Sequence, residues 1–360
     1  MLWKLPFAVT SLSLAAPKPD CERPVTTTTL DDFHKWADEN KIIRSVEIRQ
    51  EAGVGGGKGL VATRDLLPLE VALQVPKTLT IKSRGEANGG DWAGSMASQL
   101  CQLQDDIAVE TGEVGFQYEF AAGQSYSWKP FSWKPYLEFG MPSDQPYTSS
   151  QWTESQLKEL QNETFAEDCR NTAKWAETQY QRFAADRSKG EFDRALALVC
   201  SRSLEAGTCA RMLVPFLDNA NHAVLADGGG HFHLGSGSIN LFVGNKGVKK
   251  GEPVTLDYGA RTADEYAVHY GFVPEKCVGD TVLIPGQDSI VSWDNIESPN
   301  GHANPAVRLR CSEMLDAYPT SLAEDEGLAR SYQGGFDAYR VALSYRISKK
   351  SLLSKAAGRE

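Results

Sequence analysis

The chain has 360 residues, 47 acidic and 37 basic side chains, a formal net charge of −10 and 41% hydrophobic residues. That length suits about two domains, and the apolar fraction is enough for an ordinary globular core. The acidic balance argues against a general nucleic-acid binder, which presents a basic face, and suits neutral or basic protein partners.

The first residues, Met1-Leu2-Trp3-Lys4 and then Leu5 to Ala16, resemble a signal peptide: one early positive charge, a short apolar run, small residues at its end. The run is too short to span a bilayer, and no membrane span is expected. Lys18 to Leu30 is rich in Pro and Thr. The pair suits a signal peptide followed by a hydroxyl-rich transit segment, which implies a chloroplast location. The alternative is an N-terminus that targets nothing and a cytoplasmic protein.

Leu30, Phe33, Trp36 and Ala37 recur at helical spacing behind Asp31-Asp32 and predict a short amphipathic helix. Ser45 to Gln50 alternates apolar and polar residues and predicts a strand. Gly53 to Gly59 is a glycine-rich loop, and Leu60 to Thr63 and Val71 to Val75 are strand-like between Pro68 and Pro76. From Asp91 to about Arg194 the apolar period becomes helical, with an aromatic loop at Tyr126 to Tyr136 that holds the echo Ser127-Trp128-Lys129-Pro130-Phe131 and Ser132-Trp133-Lys134-Pro135-Tyr136. Ala195 to Val273 returns to short strands and tight loops. Thr281 to Ile284 predicts one more strand. Ala306 to Tyr318 and Ser321 to Ala357 predict helix, ending in Lys349, Lys350 and Lys355, which read as a solvated face.

The seven cysteines are scattered and contain no Cys-x-x-Cys pair. Neither a zinc site nor a dense disulfide framework is expected, and a reducing compartment is favoured. The loop Gly53-Val54-Gly55-Gly56-Gly57-Lys58-Gly59 fails the phosphate-loop pattern, since Gly59 follows the lysine where Ser or Thr is required. A dinucleotide fingerprint would need a helix where Leu60 to Thr63 reads as strand. A hairpin turn remains open, as does a backbone cradle for a nucleoside-type cofactor, because glycine lets main-chain groups approach closely. Arg202 lies alone in the apolar stretch Cys200-Ser201-Arg202-Ser203-Leu204. Asp218-Asn219-Ala220-Asn221-His222 follows an apolar run. Tyr258 precedes Gly259, and Tyr270 and Phe272 flank Gly271. Taken singly, these are a helix arginine, a capped turn and a structural tyrosine with its hydroxyl on a backbone carbonyl.

Taken in order, Gly57–Asp65, Asp218–His222 and Gly251–Val273 resemble a SET-domain protein methyltransferase of the Rubisco large-subunit lysine methyltransferase-like subfamily. The resemblance implies an α+β fold in which the SET domain's short strands are split by a helical insertion and followed by a helical C-terminal domain. The implied boundaries are a targeting or disordered N-terminus at 1–29, a split SET domain at 30–275 with its insertion at about 91–194, and a substrate-binding-like domain at 276–360. It implies S-adenosyl-L-methionine as cofactor, held by Gly56, Lys58, Gly59, Arg202, Asn221, His222, Tyr258 and Phe272. Tyr258 would be the central catalytic residue, with Asp218 and Tyr270 facing the substrate. Arg202 would offer its planar fork to the cofactor carboxylate, and aromatic faces suit a sulfonium or ammonium. Asp257 stands where Ser or Cys is common, and the chain lacks the zinc-binding cysteine cluster of histone-type enzymes. The implied activity is methylation of a lysine in a non-histone protein by a monomer. The alternatives are a catalytically silent SET-fold interaction module and methylation of a protein histidine.

Overall fold

Thr29 opens the first helix by a reciprocal bond: its hydroxyl accepts the Asp32 amide at 3.1 Å and the Asp32 carboxylate accepts the Thr29 amide at 3.0 Å. The helix turns Phe33, Trp36 and Ala37 inward, as its spacing predicts. A computed structural model describes residues 28–50, 57–83, 91–108, 133–141, 148–206, 210–286, 289–297, 304–335 and 337–359. The N-terminal leader-like run, Gly56 with most of the glycine loop, and most of the aromatic echo lie outside them.

In chain order the first part comprises α1 (Leu30–Glu39), β1 (Ile43–Arg44), β2 (Val46–Arg49), β3 (Gly59–Ala62), β4 (Val71–Pro76) and β5 (Ile81–Lys82). The helical section comprises α2 (Trp92–Ala108), α3 (Glu154–Lys158), α4 (Glu163–Phe183) and α5 (Lys189–Arg202). Strands resume with β6 (Leu204–Ala206), β7 (Ala210–Leu213), β8 (His231–Leu234), β9 (Ser238–Phe242) and β10 (Pro253–Val254), then the short turn α6 (Ala263–Glu265). The remainder is the hairpin β11 (Thr281–Ile284) and β12 (Ser289–Ser292), followed by α7 (Trp293–Glu297), α8 (Pro305–Asp316), α9 (Leu322–Ser331) and α10 (Ala338–Ala357).

The sheets are small and their strand pairs antiparallel. One has the order β1-β4-β9-β8, one β10-β3-β2 and one β5-β7-β6, beside the β11-β12 pair. Strands β2 and β3 pair from Val46 opposite Ala62 to Arg49 opposite Gly59. Each sheet joins residues from before the helical section to residues after it, as with Ile81 opposite Leu213 and Val75 opposite Ile239. The two halves of the chain therefore share one core, which includes Phe33, Leu73, Val75, Leu196, Leu213, Phe216 and Ile239.

Two sequence expectations change. Helix α5 continues past 194 to Arg202, because Ala195 to Val199 are all buried and no breaker interrupts them. Lys349 and Lys350 are not a solvated face: they are 4% and 1% exposed. Helix α10 is enclosed on several sides. Its first turns, Val341, Ala342 and Tyr345, share a core with Phe165, Ala263 and Tyr266. Its last turns, Leu352, Leu353 and Ala356, pack with Ile284, Val291 and Cys311. Between these apolar ends the charges pair internally. Lys349 Nζ donates to Asp280 Oδ1 at 2.7 Å and to Asp264, and Lys350 Nζ meets Asp325 Oδ2 at 2.5 Å. Arg346 pairs with the other oxygen of Asp325 at 2.9 Å. Asp280 and Asp325 are both fully buried. A helical pattern gives period, not depth, so lysines on a buried stripe look like lysines on a wet one.

Removing one partner of such a pair strands the other charge in the interior. Lys349→Met is expected to cost about 3–5 kcal/mol in urea unfolding. Lys355→Met, on the exposed side of the same helix, should change stability by no more than about 0.5 kcal/mol.

Candidate active site

The site is organised by one threaded segment, residues 255–257. On one side the Leu256 amide donates to the Asn221 carbonyl at 2.8 Å and the Leu256 carbonyl accepts the Ala223 amide at 3.2 Å. On the other, the Gly230 amide donates to the Thr255 carbonyl at 3.0 Å and the Asp257 amide to the Gly230 carbonyl at 2.8 Å. Leu256 thus runs parallel to both flanking segments. Gly230 is required by space: a Cβ there would lie 2.2 Å from the Phe242 carbonyl oxygen and 2.8 Å from that of Thr255. Asp257 locks the exit of the thread, its carboxylate accepting the Leu225 amide at 2.9 Å and the Gly259 amide at 2.8 Å. Gly259 then turns away at φ +92°.

The thread delivers Tyr258 to the side of His222. The Tyr258 amide donates to His222 Nδ1 at 3.2 Å, and the Tyr258 hydroxyl donates to the Ala220 carbonyl at 2.8 Å. Because Nδ1 accepts, the proton of the neutral imidazole sits on Nε2, which meets the Tyr266 hydroxyl at 2.9 Å. That hydroxyl in turn donates to the Gly259 carbonyl at 3.2 Å. Burial pushes the His222 pKa down, which keeps the ring neutral and the relay intact. Tyr270 stacks on Tyr258 with centroids 5.0 Å apart, and Phe272 meets it edge-on at 6.4 Å.

The segment from Asp218 to His222 has two sides. On one, Asn221 Nδ2 donates to the Lys58 carbonyl at 3.2 Å, joining residues 163 positions apart. Lys58 itself donates from Nζ to the carbonyls of Phe139 and Met141. On the other side Asp218 and Ala220 line a cleft of about 140 Å³ with Arg202, Tyr258, Arg261 and Tyr270. Asp218 is 5% exposed. Tyr136 donates to its Oδ2, Asn219 Nδ2 to its Oδ1 at 3.0 Å, and Arg202 Nη1 to its main-chain carbonyl. Burial raises the Asp218 pKa to about 6, against the lowering effects of Tyr136, Arg202 and Asn219. Burial also pushes Tyr258 up to about 12, so its phenol stays protonated. Phe216, fully buried one turn before, holds φ +66°, a strained conformation for a bulky side chain.

In solved structures this fold is matched by the SET domain of LSMT bound to lysine and AdoHcy (TM-score 0.62, 18% identity, 92% of this chain and 90% of that one). Rubisco LSMT bound to AdoMet matches similarly (TM-score 0.63, 18% identity, 92% and 91%). The chain has the fold of these SET-domain structures. Among curated proteins it is similar to the chloroplastic [fructose-bisphosphate aldolase]-lysine N-methyltransferase of Arabidopsis thaliana, 25% identical over 291 residues covering 73% of this chain and 57% of the relative. The chloroplastic ribulose-1,5 bisphosphate carboxylase/oxygenase large subunit N-methyltransferase of Pisum sativum is 22% identical over 292 residues, covering 75% and 55%. The chain thus spans just over half the length of these relatives. No family model matches it.

Within this fold a hydrogen bond joins Asn221 to Lys58, His222 lies against Tyr258, and Arg202, Asp218, Tyr258 and Tyr270 line one cleft. Gly59 opens β3, buried beside Lys58. Phe272 stands behind Tyr258 and His222 rather than at the cleft wall. Gly56 lies outside the described residues. Tyr258 follows the isolated Leu256 bridge and is not itself in a strand. The sequence reading gave no role to Tyr136, Asn219, Arg261 or Tyr266. The echo motif marked Tyr136's neighbourhood, and Tyr266 stands one helical turn before Tyr270, but their partners are remote in sequence.

The donor set fits a polar ligand. Arg202 Nε and Ser203 Oγ, both at the cleft, are buried without a protein partner among the described residues. A buried donor left open costs stability unless a ligand or water takes it.

Two outcomes follow from this geometry. Gly230→Ala should lower stability by about 1–3 kcal/mol in urea unfolding, because the new methyl is caught between the backbone of Phe242 and that of Thr255. Asp218 binds a proton in the folded state between its ordinary 3.8 and about 6. Its stabilising contribution is therefore full below pH 4 and lost as pH rises through 6. Measured against Asp218→Asn, wild-type stability should fall by up to roughly 3 kcal/mol between pH 4 and pH 7.

Proposed function

We propose that the chain is an S-adenosyl-L-methionine-dependent protein-lysine N-methyltransferase acting on a non-histone protein. The observation that carries the reading is the orientation of Tyr258. Its proton is committed to the Ala220 carbonyl, so the lone pairs of its oxygen are free for the cleft. A hydroxyl presented in that way accepts from an amine N–H or faces a positively polarised methyl. Its pKa of about 12 makes it an orienting dipole and not a base.

The cofactor, when bound, supplies an activated methyl on a sulfonium. Lys58 and Gly59, with Asn221 and His222, would hold it, and Arg202 Nε is a buried donor suited to its carboxylate. Asp218 and Tyr270 would line the path of the acceptor. A lysine with an ordinary pKa near 10.4 stands about three units above neutral pH, an opposing cost of roughly 4 kcal/mol. A cleft walled by Tyr258 and Tyr270 removes water from the amine and lowers that cost. Alignment of the amine for in-line attack contributes up to about 7–11 kcal/mol in ideal cases.

The relatives named above support aldolase and the Rubisco large subunit as the first acceptors to try, and a chloroplast location. The reading takes the enzyme as a monomer. Among the described residues no helix is long and apolar enough to cross a membrane.

Isothermal titration with S-adenosylmethionine should give micromolar binding that Asn221→Ala abolishes. Radiolabelled methyl transfer to chloroplast aldolase or Rubisco should then fall about 100-fold or more in Tyr258→Phe while cofactor affinity holds. Absence of wild-type binding would leave the silent-module reading in its place, and label on histidine would change the acceptor.

A further inference from the structure

Tyr136 is fully buried, parallel to Trp36 at 6.3 Å and tilted against Trp133 at 5.8 Å. A phenylalanine would fill the same space. The hydroxyl nevertheless reaches Asp218 Oδ2, 82 positions away. Its segment is braced on both sides of the site. Asn219 Nδ2 donates to the Gly140 carbonyl at 2.8 Å, and Lys58 Nζ donates to the carbonyls of Phe139 and Met141. The middle of the helical insertion therefore bonds to the Lys58 turn and to the Asp218 turn at once.

We infer, resting on the methyl-transfer reading above, that Tyr136 is a positioning residue whose hydroxyl aims the Asp218 carboxylate into the cleft to accept N–H groups of the lysine acceptor. A carboxylate offers about four lone-pair directions. Tyr136 occupies one on Oδ2 and Asn219 one on Oδ1, which leaves the others for a ligand. The charged and titratable groups around it are Tyr136 from the insertion, Arg202 from α5, and Tyr258, with Arg261 and Tyr270 further along the cleft. Burial raises the Asp218 pKa and the Tyr136 bond opposes the rise. Without that bond the carboxyl turns freely and protonates at higher pH. The Tyr136 hydroxyl bonds to Asp218 and not to Lys58, Gly59, Arg202, Asn221 or His222, the residues assigned to the cofactor.

The test is L-lysine binding to the full chain saturated with S-adenosylhomocysteine, measured by calorimetry from pH 5 to pH 9. Wild-type affinity should weaken as pH falls through about 6. Tyr136→Phe should move that midpoint upward by about half a unit or more and weaken lysine binding at pH 7 by about 5- to 10-fold. Its affinity for S-adenosylhomocysteine should not change. In an Asp218→Asn background the same substitution should have no further effect on lysine binding, which a packing role would not predict. An unchanged midpoint and affinity in Tyr136→Phe, or an equal loss in both backgrounds, would overturn the inference. Wild type that binds S-adenosylhomocysteine but not lysine would overturn it alone. Binding of neither would remove the reading on which it rests.

Discussion

The passage of residues 255–257 between the Asn221–Ala223 and Gly230 segments is the constraint on which the site depends. Four main-chain hydrogen bonds hold it, two on each side. Parallel bridging on both flanks leaves the thread no freedom to slide, because a shift of one residue would break all four bonds together. Tyr258 is the second residue after Leu256, so its place beside His222 follows from the thread rather than from packing of its own ring. The same thread explains Asp257. A carboxylate that accepts two amides closes the exit turn, and a shorter polar side chain would not reach both.

The helical insertion braces the site as well as interrupting the strands of the fold. Its middle stretch, Trp133–Met141, offers carbonyls to Lys58 from before the insertion and to Asn219 from after it. Its aromatic rings fill the space against α1, where Phe33, Trp36, Phe139 and Phe216 meet. The positive φ of Phe216 is held by this packing. Backbone strain at that turn persists only because the surroundings over-determine it, and it sets the angle at which Asp218 enters the cleft.

The C-terminal helix works by a different balance. A run of internal ion pairs, Arg346 and Lys350 with Asp325 and Lys349 with Asp280 and Asp264, sits between two apolar ends. Buried pairs of this kind add little net stability over apolar replacements. They do make other registers of α10 unfavourable, since each would strand a buried charge.

The sequence by itself determined the local elements and the order of the motifs. An acidic start and period placed α1, alternation placed β2, and the Asp218–His222 and Gly251–Val273 strings pointed to a SET domain, because such features depend on neighbours within a few residues. Tertiary structure decided what depends on remote partners. No local signal shows that Tyr136 ends on Asp218, that Lys58 spends its ammonium on carbonyls of the insertion, or that Gly230 makes room for a crossing strand. Depth was equally hidden: Lys349 and Lys350 sit in the same helical pattern whether water or Asp280 and Asp325 lie opposite. Period is a property of one helix, whereas burial and charge pairing belong to whatever the rest of the chain packs against it.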